Sequence, residues 1–118
     1  MRVLVCGGRD YQDANTVGLA LASLHTNELR GPITLLIHGG ARGADSLAGR
    51  WAFDNEVPVS VFFADWNRHG KVAGPIRNQR MIDEMKPELV IAFPGGRGTA
   101  DMARRAKQAG IDVMEISS

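Results

Sequence analysis

The chemistry-bearing residues of this chain gather in three glycine clusters, each with an arginine and an aspartate. They are Gly7-Gly8-Arg9-Asp10, Gly39-Gly40-Ala41-Arg42-Gly43-Ala44-Asp45 and Gly95-Gly96-Arg97-Gly98-Thr99-Ala100-Asp101. A glycine-rich turn lets backbone N–H groups come close to an anion, and a helix starting there adds the positive end of its dipole. Arg9, Arg42 and Arg97 supply the planar fork that clamps phosphate or carboxylate. Together these features point to a phosphate-bearing ligand, although glycines also serve plain tight turns and a single loop arginine is often just solvated. Asp45 and Asp101 either stabilise a first helical turn or, with Asp10, accept ribose hydroxyls or exchange protons.

A second constellation lies at Arg77-Asn78. Asn78 falls three and four positions before Met81 and Ile82, on the stripe that should face a sheet. A buried amide needs partners, so Asn78 either ties down a neighbouring loop or reads a ligand. Arg77 is expected at the start of the same helix, where a cation opposes the dipole unless it reaches toward an anion. Cys6 reads as a small core hydrophobe, His25 as a surface residue and His38 as a structural histidine. Trp66 either stacks on a base or anchors its loop. No two histidines have metal-ligand spacing, and no metal or cofactor is expected. Gly-x-x-x-x-Gly-Lys-[Ser/Thr] does not occur, and Gly96 to Asp101 departs from Gly-x-Gly-x-x-Gly at its last position, which excludes a P-loop NTPase and argues against a standard dinucleotide dehydrogenase.

Each cluster follows an apolar, β-branched run: Val3 to Cys6, Ile33 to Ile37 and Leu89 to Phe93. Continuous apolar runs suit strands buried on both faces of a parallel sheet. Val57 to Phe63 and Ile111 to Ile116 are less clean, the last alternating as an edge strand does. Helical stripes fill the gaps: Val17, Ala20, Leu21 and Leu24 behind an Asp13 cap; Ala44, Leu47, Ala48 and Trp51; Met81, Ile82 and Met85, ended by Pro87; and Met102, Ala106 and Ala109, with Thr99 as N-cap and Gly110 at the C-terminal cap. This alternation predicts an α/β, three-layer Rossmann-like domain over residues 1–118 with a five-stranded parallel sheet in the order 3-2-1-4-5. In that order strands 1, 2 and 4 are neighbours, and the three glycine turns face one crevice.

The bulk properties agree. The chain has 118 residues, 44% hydrophobic and 23% charged, with a net charge of +1. That is ordinary globular composition, long enough for one core, and too nearly neutral for a general electrostatic nucleic-acid binder. One cysteine precludes an internal disulfide. No apolar run approaches the ~20 residues of a membrane helix, and the first residues read as a strand rather than a signal peptide, so a cytoplasmic, membrane-free protein is expected.

Phe93-Pro94-Gly95-Gly96-Arg97-Gly98-Thr99 resembles the Pro-Gly-Gly-x-Gly-Thr signature of the SLOG superfamily, which includes the Lonely Guy phosphoribohydrolases and the DNA-processing protein A recombination mediators. Gly7-Gly8-Arg9-Asp10, His38 to Asp45, Ala64-Asp65-Trp66 and Gly74-Pro75-Ile76-Arg77-Asn78 resemble more closely the small YspA/YpsA-related branch. The resemblance spans essentially the whole chain. It implies a nucleotide or nucleotide-derived ligand, a sensor or carrier role, and a homodimer.

On that footing Pro94, Gly95, Gly96, Gly98 and Thr99 would cradle phosphate, Gly7, Gly8, Gly39 and Gly40 would admit sugar and base, and Arg77 and Asn78 would close the site. An alternative implied by the resemblance is hydrolysis of nucleoside 5′-monophosphates, with Arg77 and Asp101 as catalytic residues. The Lonely Guy pattern has a Glu where this chain has Met102, and Asp101, one residue earlier, is rotated by about 100° on a helix. Slow or absent hydrolysis is therefore expected, with Met102→Glu expected to introduce some. A second alternative, a single-stranded nucleic-acid module, requires a continuous basic strip that the +1 charge does not favour.

Overall fold

The computed structural model describes residues 1–117. Five strands, β1 (Arg2–Cys6), β2 (Leu35–His38), β3 (Val59–Val61), β4 (Leu89–Ala92) and β5 (Asp112–Glu115), form one parallel sheet in the order β3-β2-β1-β4-β5. The helices are α1 (Ala14–His25), α2 (Ala44–Asp54), the short α3 (Trp66–His69), α4 (Ala73–Met85) and α5 (Arg97–Gln108), with a 3-10 turn at Gly70–Val72. No helix among the described residues is long and apolar enough to cross a membrane.

The sheet has an apolar core on each face. Val3, Val5, Leu36 and Ile91 pack against Val17, Leu21, Ala44 and Ala48 of α1 and α2. Leu4, Ile37 and Val90 pack against Met81, Ile82, Met102 and Ala106 of α4 and α5. This two-sided burial explains the unbroken apolar runs of β1 and β4, whereas the edge strands β3 and β5 carry exposed positions. Leu4 pairs with both Ile37 and Val90, so the three central strands end side by side and their turns meet at one edge of the sheet.

Local signals set most boundaries. The Asp13 carboxylate accepts from the Thr16 backbone N–H at 3.0 Å and starts α1 as expected. Three expectations need correction. Gly96, not Thr99, caps α5, because the β4 turn is tight enough for the helix to begin at Arg97. Ala109 is the C-cap of α5, and Gly110 follows it with φ +77°, while the Ile111 N–H returns to the Ala106 carbonyl at 2.9 Å. Finally, α4 begins at Ala73, which places Arg77 in its second turn and removes most of the expected conflict with the helix dipole.

Candidate functional site

The three turns interlock through backbone contacts. The Gly8 N–H donates to the Pro94 carbonyl at 2.9 Å, and the Ala44 N–H donates to the Gly8 carbonyl at 3.2 Å. A Cβ on Gly95 would collide with Thr99 Oγ1 and lie 2.7 Å from the Gly8 nitrogen, so glycine there is required by the packing of turn on turn. Gly96 and Gly98 differ: nothing lies within 4 Å of a Cβ added to either. Close packing of the fold does not explain them, and both face a cavity.

That cavity, of about 760 Å³, opens above the carboxyl ends of β1, β2 and β4. Of the residues expected in the site, Gly7, Gly8, Arg9, Gly39, Arg77, Asn78, Gly96, Arg97, Gly98, Thr99 and Asp101 line it. Four others do not. Gly40 and Arg42 line an adjoining recess of about 400 Å³ with Phe63, Ala64 and Trp66. Gly95 lines a small recess toward β5, and Pro94 serves through its carbonyl to hold Gly8. Arg42 pairs with Asp10 at 3.3 Å in an exposed position, where such a bridge contributes at most about 1 kcal/mol.

Arg77 crosses the cavity from α4. Its Nη1 donates to the Gly39 carbonyl at 2.7 Å and the Phe62 carbonyl at 3.4 Å, and its Nε donates to Asn78 Oδ1 at 3.0 Å. Nη2 has no acceptor among the described residues and is not sealed from solvent, so its two N–H groups remain for a ligand. Burial pulls the Arg77 guanidinium below its ordinary range, against the opposing charge of Asp45, and it stays a cation at any neutral pH.

Asn78 is buried, and the two readings of it separate here. Nδ2 donates to the Gly98 carbonyl at 3.3 Å and to Asp101 Oδ2 at 3.0 Å, while Oδ1 is taken by Arg77. With its amide N–H groups donated to Gly98 and Asp101, Asn78 ties the β4–α5 turn to α4 while lining the cavity.

Asp101 also accepts from Arg105 Nε at 2.8 Å and Arg104 Nη2 at 2.6 Å. Burial works to raise its pKa, but the hydrogen bonds from Arg105 and Asn78 and the two arginine charges win and hold it below the usual carboxylate range. It is an engaged carboxylate with no proton to give at neutral pH. Met102, which the resemblance set in place of a Glu, is fully buried in the α4–α5 core and does not line the cavity.

Burial pushes the Cys6 thiol up to about 12, with the Asp45 charge adding to the rise, so the sulfur on the cavity wall is not a nucleophile. His38 is structural, its Nδ1 accepting from the Gly40 N–H at 3.0 Å, and burial lowers its pKa. His25 is not merely a surface residue: its Nδ1 accepts from the Ile33 N–H at 3.1 Å and its ring meets Trp51 edge-on. Among the described residues no cluster of His, Cys, Asp and Glu suits a metal ion.

The structure brings Trp66 to the site and adds two residues that sequence reasoning left out, Lys71 and Arg104. Trp66 lines both the cavity and the adjoining recess, with the Arg9 guanidinium 5.9 Å from its ring. Lys71 and Arg104 also reach the cavity. The tryptophan had been visible as a stacking residue; Lys71 sits in a 3-10 turn with no periodicity to betray it.

The Arg97, Gly98 and Thr99 N–H groups have no acceptor among the described residues, the first bond of α5 running from Ala100 to Gly96. These orphan donors, with Arg9, Lys71, Arg77 and Arg97, make one face of the cavity positively charged and rich in free N–H groups. Gly96→Val is expected to fold, since nothing stands within 4 Å of a Cβ there. It should weaken phosphate binding tenfold or more by standing over these donors. Thermal melting and calorimetry of the variant check both halves, and unchanged binding would place the anion elsewhere.

A sequence profile of the YspA, cpYpsA-related SLOG family matches residues 1–69, the stretch from β1 through α3. The "Gene 61 protein" of Mycobacterium phage D29 is 43% identical over 124 residues, covering 98% of this chain and 95% of that protein. Among solved structures, DNA processing protein A from Streptococcus pneumoniae superposes with a TM-score of 0.77 at 21% identity. It is matched over 99% of this chain, which spans half of that longer one. This last likeness is one of fold.

Proposed function

The chain belongs to the YspA, cpYpsA-related SLOG family, and from that premise we propose that it binds a nucleotide or nucleotide-derived ligand at the carboxyl edge of the sheet, as a sensor or carrier. The phosphate sits on the β4–α5 turn. The observation that carries this reading is the pair Gly96 and Gly98, free of any packing demand and aimed with the orphan amides of α5 into a cavity that holds Arg9, Lys71, Arg77 and Arg97. A cavity of about 760 Å³ matches a ligand of nucleotide size. Trp66, half-exposed on the wall, offers a flat face to a base.

The two positions that the resemblance offers for turnover are not placed for it. N-glycosidic cleavage passes through an oxocarbenium-like state and needs a proton donor or a free carboxylate beside the sugar. Asp101 has its oxygens engaged by Asn78, Arg104 and Arg105, and Met102 lies in the core.

Calorimetry with AMP and adenosine tests the reading. Loss of one charge-assisted phosphate contact is worth about 1.5–3 kcal/mol, so AMP should bind at least tenfold more tightly than adenosine. Incubation with AMP should release no adenine. Equal affinities would remove the phosphate argument, and steady adenine release that is lost in Asp101→Asn would make the protein a glycosidase.

A further inference from the structure

We infer that Asp45 is a hydroxyl-reading group that makes the ligand a ribonucleotide rather than a deoxyribonucleotide; this rests on the nucleotide reading above. Asp45 is the second residue of α2, 5% exposed, and it lines the cavity. Its Oδ2 accepts from the Gly39 N–H at 3.0 Å and the Ala41 N–H at 3.2 Å. Its Oδ1 has no partner among the described residues. Yet no buried side-chain oxygen there lacks one, so Oδ1 is not sealed in the fold and opens on the cavity. Its hold on the Gly39 and Ala41 amides ties down the β2–α2 turn and accounts for one oxygen only. A carboxylate this buried, with one oxygen held and one free, is costly unless something donates to it. Burial raises its pKa accordingly.

The surroundings define the donor. A cationic group is repelled by Arg9 and Arg77, which share the cavity. A phosphate is repelled by the carboxylate itself and belongs at the α5 start. What remains is a neutral donor between the phosphate turn and the aromatic wall. The sheet fixes that interval: β2 and β4 flank β1, with neighbouring strands about 4.8 Å apart. The turns after them therefore stand roughly 10 Å apart, and a sugar spans that gap with its phosphate at one end. The ribose 2′- and 3′-hydroxyls are the neutral donors that such a pose presents to Asp45. Removing them leaves a buried acceptor unpaired, which is how a site built for a hydroxyl rejects the analogue without it.

The test titrates the protein with the four ribonucleoside 5′-monophosphates, their 2′-deoxy and 2′,3′-dideoxy counterparts, and the matching nucleosides without phosphate. The wild type should prefer the ribo form tenfold or more. Asp45→Asn, which keeps an oxygen for the Gly39 and Ala41 amides, should bring that ratio toward one while leaving the preference for phosphate in place. Equal binding of ribo and 2′-deoxy forms by the wild type overturns the inference even where phosphate dependence stands, and needs no variant to fold. A folded Asp45→Asn protein that reorders the bases but keeps the ribo preference assigns Asp45 to the base and overturns it too. Phosphate-independent binding with an intact ribo preference overturns the phosphate reading alone, and binding of no nucleotide overturns both.

Discussion

Met102→Glu is expected to unfold the protein rather than to create a hydrolase. Met102 has no exposed surface and packs with Met81, Ile82, Val90 and Ala106 between the sheet and the α4–α5 pair. A Glu at this position must either bury a charge or take up a proton, and in either state its polar atoms lack partners in an apolar cluster. Removing the Met packing adds to the cost. Together these amount to about 4 kcal/mol or more, a large part of the stability of a domain this size. Circular dichroism should show a melting temperature lowered by more than about 15 °C, or no folded protein at all. A folded Met102→Glu variant that cleaves AMP would show that α5 can rotate its second turn into the cavity. The asymmetry with Asp101 is purely geometric. One residue earlier on the helix, Asp101 faces Asn78 and the cavity, while Met102 faces Val90.

Which parts of this arrangement were legible in the sequence follows from the range of the forces involved. The central strands were legible because a strand buried on both faces must be apolar throughout, as Leu89 to Ala92 are. Their order followed from the alternation of strands with helices, and the meeting of the three glycine turns followed from the order. Asn78 was legible as buried because its distance to Met81 and Ile82 puts it on their stripe. Its partners were not, since Gly98 and Asp101 reach it only through the packing of α4 on α5. The stretch from Asp65 to Gly74 reads as a loop, because a four-residue helix and a 3-10 turn leave no periodicity to detect, and with it went Lys71 and the length of α4. Gly95 and Gly96 look alike in a sequence. Only the approach of Gly8 and Thr99 shows that the first is glycine for the fold and the second is free of that demand. The free oxygen of Asp45 is a tertiary fact of the same kind.

Arg77→Ala is expected to weaken AMP binding by about 10- to 100-fold. Arg77 occupies a singular position: three of its five N–H donors are fixed on Gly39, Phe62 and Asn78, and the Nη2 pair is left over the cavity. The fixed bonds hold the guanidinium in place before a ligand arrives, so little side-chain entropy is lost when an anion meets it. A partly buried, charge-assisted contact of this kind is worth about 1.5–3 kcal/mol, which is the stated range of affinity. The substitution also releases the Gly39 carbonyl and leaves Asp45 without its nearby cation, at a cost to stability of about 1–3 kcal/mol. Binding is therefore read well below the melting temperature of each variant. Arg77→Lys separates charge from shape. A lysine restores the charge but cannot hold the Gly39 and Phe62 carbonyls while pointing a fork at the ligand, so it should recover only part of the lost affinity. Full recovery by lysine would reduce Arg77 to a point charge. A folded Arg77→Ala protein that binds AMP as the wild type does would move the anion off this side of the cavity, onto the Arg97–Thr99 amides alone.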